Sequence, residues 1–125
     1  MDRPSRRAAT HSYPRIARVN ALLLEILAEA LERIADNDER LSLVTLTAVN
    51  CAPDLRTAVV YCSSLSDEAA AALDEHRRSL QRRIGDEARI RRTPTLRFAA
   101  DPAIEAGLRI EAAIRRGRER PPGSI

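Results

Sequence analysis

The stretch LSLVTLTAVNCAPDLRTAVVYCS, Leu41–Ser63, decides the fold. Its two halves, Leu41–Asn50 and Leu55–Ser63, are rich in β-branched residues, and only a short turn at Pro53-Asp54 separates them. That pattern predicts two strands joined as an antiparallel hairpin. Successive strand side chains point to opposite faces, so Val44, Leu46 and Ala48 share one face of the first strand and Ala58, Val60 and Cys62 one face of the second. Cys51 and Cys62 fall near opposite ends of this hairpin, too far apart to bridge. They read as buried, reduced thiols.

Upstream, residues 15–37 carry Ile16, Val19, Leu23, Ile26, Leu27, Ala30, Leu31 and Ile34 at steps of three and four, one buried stripe of a helix. Ser12 suits its cap and Pro14 its first turn. Glu25, Glu29 and Glu32 make the other side acidic, and Asp36-Asn37-Asp38 supplies the terminating turn. Downstream, Ser66 caps a second helix that runs to about Gly85, with Asp67 and Glu68 in its first turn. Its stripe is Ala70, Leu73, Leu80 and Ile84. Arg77 stands in the gap, where a charge would not stay buried unpaired, so a break or bend is expected at His76-Arg77-Arg78. A last strand, Ala88 to Phe98, follows. Asp101-Pro102 opens a final helix with Ile104, Leu108 and Ala112 on one side. The order helix, strand, strand, bent helix, strand, helix is that of an α+β layer, a three-stranded sheet with helices over one face.

The chain has 125 residues, enough for one modest core. Aromatics are 2% with no Trp, so the core must be aliphatic and no platform for stacking bases is available. No apolar run approaches a membrane span. Residues 1–14 read as a flexible basic arm, residues 117–125 as a disordered tail, and the chain as cytoplasmic. His76 has no partner placed to make it a catalytic base. The spacing of Asp36, Asp38 and Glu39 lacks the glycine and distal Glu of a calcium loop. Without a nucleophile–base pair, a metal cluster or a glycine-rich phosphate loop, the sequence points to no enzyme, no metal and no cofactor.

Charge is the informative feature. The net is +3, but residues 1–18 carry +4, residues 19–75 carry −8 and residues 76–97 carry +6. Such segregation suits one surface for a polyanion and another turned away from it. In IRRTPTLRF, Ile90–Phe98, the residues Ile90, Pro94, Leu96 and Phe98 share the core parity, while Arg89, Arg91 and Arg97 share the other with Thr93 and Thr95. Residues two apart on a strand are about 6.6 Å apart, comparable to phosphates along an extended nucleic acid. Arg92 falls on the apolar parity, so pairing begins after it or a bulge shifts the register. Pro94 marks an edge strand. Arginines on an edge also serve simply to block aggregation. Eight of them within residues 76–97 favour contact with an anion. The candidates are Arg77, Arg78, Arg82, Arg83, Arg89, Arg91 and Arg97, with Arg15 and Arg18 in a second tier. Tyr61 and Phe98 read as packing residues.

Five motifs in order resemble bacterial ribosome-binding factor A. They are D-x-R-L at Asp38–Leu41, V-T-L-T-x-V at Val44–Val49, PDLRTA at Pro53–Ala58, R-x-x-P-x-L-x-F at Arg91–Phe98 and D-x-x-I-E-x-G-x-R-I at Asp101–Ile110. The likeness spans about residues 15–116. It implies a type II KH-like domain and a non-catalytic assembly factor. Such a factor binds the free, immature small (30S) ribosomal subunit and its 16S rRNA, assists late maturation and 5′-end processing, and is associated with growth in the cold. It further implies a monomer whose release is helped by a maturation GTPase. KH domains grip nucleic acid at a G-x-x-G loop, which this family replaces by a helix kink, usually Ala-x-Gly. The corresponding place here is His76-Arg77-Arg78, without glycine, where backbone approach is harder. The rival reading is a small protein-interaction module working through the acidic first helix. Salt separates the two, because phosphate contacts weaken steeply with it.

Overall fold

A computed structural model describes residues 3–119, with side chains described from residue 15 to residue 118. The elements run α1 (Arg3–Ala35), a 3-10 turn (Glu39–Leu41), β1 (Leu46–Cys51), β2 (Thr57–Cys62), α2 (Asp67–Glu87), β3 (Thr95–Ala100) and α3 (Pro102–Glu119). α1 is helical from Arg3, so its start lies well before the expected one and Ser12 and Pro14 fall inside it. The apolar stripe that reveals a helix begins only at Ile16, where packing begins. The expected flexible arm, residues 1–14, falls on α1 from Arg3 and otherwise on residues outside the described set. Those for the tail fall on α3 up to Glu119 and otherwise on residues outside the described set.

The sheet order is β1-β2-β3, with β1 antiparallel to β2 and β2 parallel to β3. Leu23, Ile26, Leu27, Ala30 and Leu31 of α1 are buried against it, together with Ala72, Leu73, Leu80 and Ile84 of α2. On the sheet, Val49, Cys51, Ala58, Val60, Cys62 and Leu96 face these helices. The opposite face presents Ala48, Asn50, Val59, Tyr61, Thr95 and Arg97, all half-buried or exposed. α3 is tied to the sheet at its first turn. There Asp101 accepts hydrogen bonds from Thr47 Oγ1 at 2.6 Å and from the Ala103 amide at 2.9 Å.

In the sheet, two strand starts and one face differ from expectation, each for a local reason. The strand expected from Leu41 starts at Leu46, because Asp38 caps a 3-10 turn that drives Leu41 fully into the core. Ala48 leaves the face of Leu46, because the register shifts between them; this bulge hands the core face to Val49 and Cys51. The strand expected from Ala88 starts at Thr95, whose amide is the first to bond across to Arg56 O, at 2.9 Å. Pro94, just before it, has no N–H to give, and its ring is buried. Pairing therefore begins after Arg92, as one of the two sequence alternatives had it, and Arg89 and Arg91 lie on the connection, not on the strand. β3 is an edge strand with Leu96 and Phe98 inward and Arg97 outward.

The expected interruption of α2 is absent as well. The helix is continuous through His76, Arg77 and Arg78. The gap in its stripe is filled by His76 and Arg77, both half-buried and both bonded to carboxylates, so the charge needs no break to escape. Ser66 caps the helix as read, its Oγ accepting from the Ala69 amide at 3.1 Å.

Removing a side chain from the shared core should be costly. Leu27→Ala should lower unfolding free energy by about 2–5 kcal/mol in a denaturant titration, whereas Leu43→Ala, at an exposed position, should stay within about 0.5 kcal/mol. The two free cysteines are buried, and burial pushes the Cys62 thiol up to about 11. At pH 8 roughly one thousandth of it is thiolate, so alkylation of the native protein should be very slow and should become fast once it is unfolded.

Candidate nucleic-acid interface

Topology sorts the charges by sheet end. Since β2 runs against β1 and with β3, one end gathers Cys51, Thr57 and Thr95. The first described side chains of α1 reach this end, where Asn20 Oδ1 accepts the Cys51 amide at 2.8 Å. The last turns of α2 do too, since Gln81 Oε1 accepts the Leu96 amide at 3.0 Å. Arg15 and Arg18, the hairpin turn with Arg56, and the α2–β3 connection with Arg89, Arg91 and Arg92 therefore converge. Arg82 stands on the helix just before that connection. The other end holds the close of α1, the 3-10 turn, the start of α2 and the start of α3. It carries Asp36, Asp38, Glu39, Asp67, Glu68 and Asp101.

The candidate arginines fall into three groups. Arg15, Arg18, Arg82, Arg89 and Arg91 are exposed at or beside the basic end. Arg97 stands on the open sheet face beside Val59 and Thr95, and Arg78 is exposed one turn before Arg82. None of these seven lies within 4.0 Å of a carboxylate among the described residues. Arg77 and Arg83 instead turn to carboxylates of their own helix, Asp74 and Glu87. The Glu87 carboxylate raises the Arg83 pKa further, and Arg77 Nε is buried without a hydrogen-bond partner.

Sequence reading passed over Arg56. It is exposed at the hairpin turn, where Asp54 Oδ1 accepts its amide at 3.0 Å and Asp54 Oδ2 stands 3.9 Å from its Nε, a loose and exposed ion pair. Leu55 holds the left-handed conformation with φ 59°, an arrangement that strains a branched residue and sets the direction in which Arg56 leaves the turn. The signal was present in PDLRTA. It required knowing that β3 begins beside this turn, which only the parallel register supplies.

At the junction of the 3-10 turn and α2 lies a built carboxylate centre. Asp38 accepts from Arg40 Nη2 at 2.8 Å and Nε at 2.9 Å, and its Oδ2 is 3.1 Å from His76 Nε2. Arg40 also bonds Glu75. Asp38 is only 14% exposed, and the Arg40 guanidinium holds its carboxyl well below the usual carboxylate range. This explains His76 as a strut between two elements; the reading of Asp36-Asn37-Asp38 as a helix-ending turn agrees with the Asp38 cap. A carboxylate with a depressed folded pKa stabilises the fold above its unfolded value, near 3.8, and loses that contribution as pH falls through the folded one. The stability advantage of the wild type over Asp38→Asn should therefore be present at about pH 5 and above and should close in stronger acid. Thermal unfolding across pH reads this directly.

The family model described as ribosome-binding factor A matches residues 15–114. The chain is 37% identical over 111 residues to ribosome-binding factor A of Micrococcus luteus, covering 85% of this chain and 74% of that one. It is 35% identical over 108 residues to that of Rubrobacter xylanophilus, covering 83% and 88%. The crystal structure of ribosome-binding factor A from Thermus thermophilus superposes with TM-score 0.62 at 31% identity, covering 68% of this chain and 93% of that one. A homology model of Thermus thermophilus ribosome binding factor A, fitted into the cryo-EM map of a 30S complex, matches with TM-score 0.56 at 32% identity, covering 66% and 91%. With its KH-like α+β fold, its register and its motifs accounted for together, the chain belongs to the ribosome-binding factor A family.

Proposed function

We propose that this protein is a cytoplasmic, non-catalytic assembly factor that binds the immature small ribosomal subunit through its 16S rRNA and assists late maturation, including 5′-end processing by nucleases. The reading rests above all on one observation, the gathering at one end of the sheet of exposed guanidinium groups, of which Arg15, Arg18, Arg82, Arg89 and Arg91 have no carboxylate within 4.0 Å among the described residues, while most carboxylates, Asp54, Asp86 and Glu87 aside, stand towards the other end. The relative fitted into a 30S complex supports the same partner.

In this reading Arg15, Arg18, Arg56, Arg82, Arg89 and Arg91 make charge-assisted contacts to phosphates. Arg78 and Arg97 extend the contact along α2 and onto the open sheet face. Arg77 and Arg83, both half-buried, contribute after leaving Asp74 and Glu87, a modest cost because ion pairs this near the surface are worth about 0–1 kcal/mol. The acidic end repels phosphate and so fixes which way round the domain sits. Phosphate contacts set position and not sequence; the site on the subunit is chosen by RNA shape. By occupying it, the domain favours one local RNA arrangement, and its cost-free departure requires that the mature arrangement bind it less well.

Arg89→Glu with Arg91→Glu should abolish co-sedimentation with free small subunits while leaving circular dichroism unchanged. Unchanged co-sedimentation would remove the α2–β3 connection from the interface. Binding of the wild type should fall by orders of magnitude between about 50 and 200 mM salt, as expected for some six phosphate contacts. Purified protein should leave precursor rRNA uncleaved.

A further inference from the structure

The acidic end carries a groove that phosphate contact cannot use. It lies between the last turns of α1 and the segment leading into β1, and it encloses about 540 Å3. Half-buried Val44 and Leu46 contribute accessible apolar lining over the buried Leu31 and Leu41, and Glu32 and Asp36 stand among its charged residues. The one lining cation, Arg33, is already held by Glu29 at 3.1 Å, so the rim remains net negative. Leu43, set between the lining residues Ser42 and Val44, is 85% exposed, more than any other large hydrophobic residue among those described.

These features specify a partner. A bare leucine beside a groove of mixed polar and apolar lining is what a covering surface would bury. The sign of the rim excludes nucleic acid and favours a cationic occupant. An occupant that joins cations to aliphatic groups is a polypeptide segment. We infer that this groove docks a basic polypeptide segment bearing aliphatic side chains, its Arg or Lys residues meeting Glu32 and Asp36 and its apolar groups covering Leu43 and the groove floor. Charge steers the encounter and apolar burial holds it. The groove lies at the opposite end of the sheet from the clustered arginines, so one molecule can hold RNA and a protein segment together. The inference rests on the groove alone and stands whether or not the arginines bind RNA.

The test titrates the isotope-labelled full chain with a short synthetic peptide alternating Arg and Leu, beside Arg/Ser and Glu/Leu peptides of equal length, and follows the amide resonances. Saturable shifts should centre on Leu31, Leu43 and Val44, with the Arg/Leu peptide binding about tenfold or more tightly than either control. Leu43→Ser, which alters an exposed side chain and so spares the fold, and Glu32→Arg should each weaken that binding about tenfold. Arg89→Glu should bind the peptide like the wild type, which keeps this result separate from the RNA test. Shifts centred elsewhere, no saturable binding, equal binding of the Arg/Ser peptide, or wild-type affinity in Leu43→Ser would each overturn the inference.

Discussion

The parallel pairing of β2 with β3, Thr57 beside Thr95 through Cys62 beside Ala100, is the constraint on which the rest depends. A parallel neighbour cannot be reached by a tight turn, so the chain must return along the sheet before β3 can start. α2 makes that return. Its N-terminus and its C-terminus are therefore delivered to opposite ends of the sheet. Had β3 paired antiparallel, the α2–β3 connection and the hairpin turn would sit at opposite ends. The arginines of residues 76–97 would then be separated from Arg56 and from the first described turns of α1.

Given that topology, charge segregation along the chain becomes charge segregation in space. The acidic segment folds over the closing half of α1, the 3-10 turn and the opening half of α2. The basic segment follows α2 out at the other end. Individually the surface ion pairs contribute little to stability. What acts at a distance is the summed field of the two ends, and a dipolar particle approaching a polyanion is oriented before it touches. The core asks little of this surface. It is built from Leu, Ile, Val and Ala with two cysteines, and it holds no buried polar or charged residue among those described.

Legibility followed the physical source of each feature. Elements that bury an apolar stripe were readable: the stripe from Leu23 to Leu31 in α1, the inward set Ala58, Val60 and Cys62 in β2, and the Ser66 cap of α2 all depend on spacing within one element. Features set by a neighbouring element were not. The bulge that moves Val49 and Cys51 onto the core face depends on how β1 meets β2. The late start of β3 depends on where Arg56 O lies. The continuity of α2 depends on Asp38 and Asp74 being placed to receive His76 and Arg77. For the candidate interface, composition located the arginines but not their geometry. Arg89 and Arg91 share an end of the molecule with Arg56 instead of sharing a strand with Arg97, and Arg77 and Arg83 are engaged with their own helix.

The orientation of the domain against ribosomal RNA is the central claim, and tethered hydroxyl-radical probing reads it most directly. An iron chelate attached at Thr93→Cys would sit at the basic end and one at Glu39→Cys at the acidic end, with the native thiols shielded by burial. On small subunits, strong and localised rRNA cleavage is expected from position 93 and little from position 39. Cleavage from position 39 with none from position 93 would show the domain bound the other way round and would contradict the account.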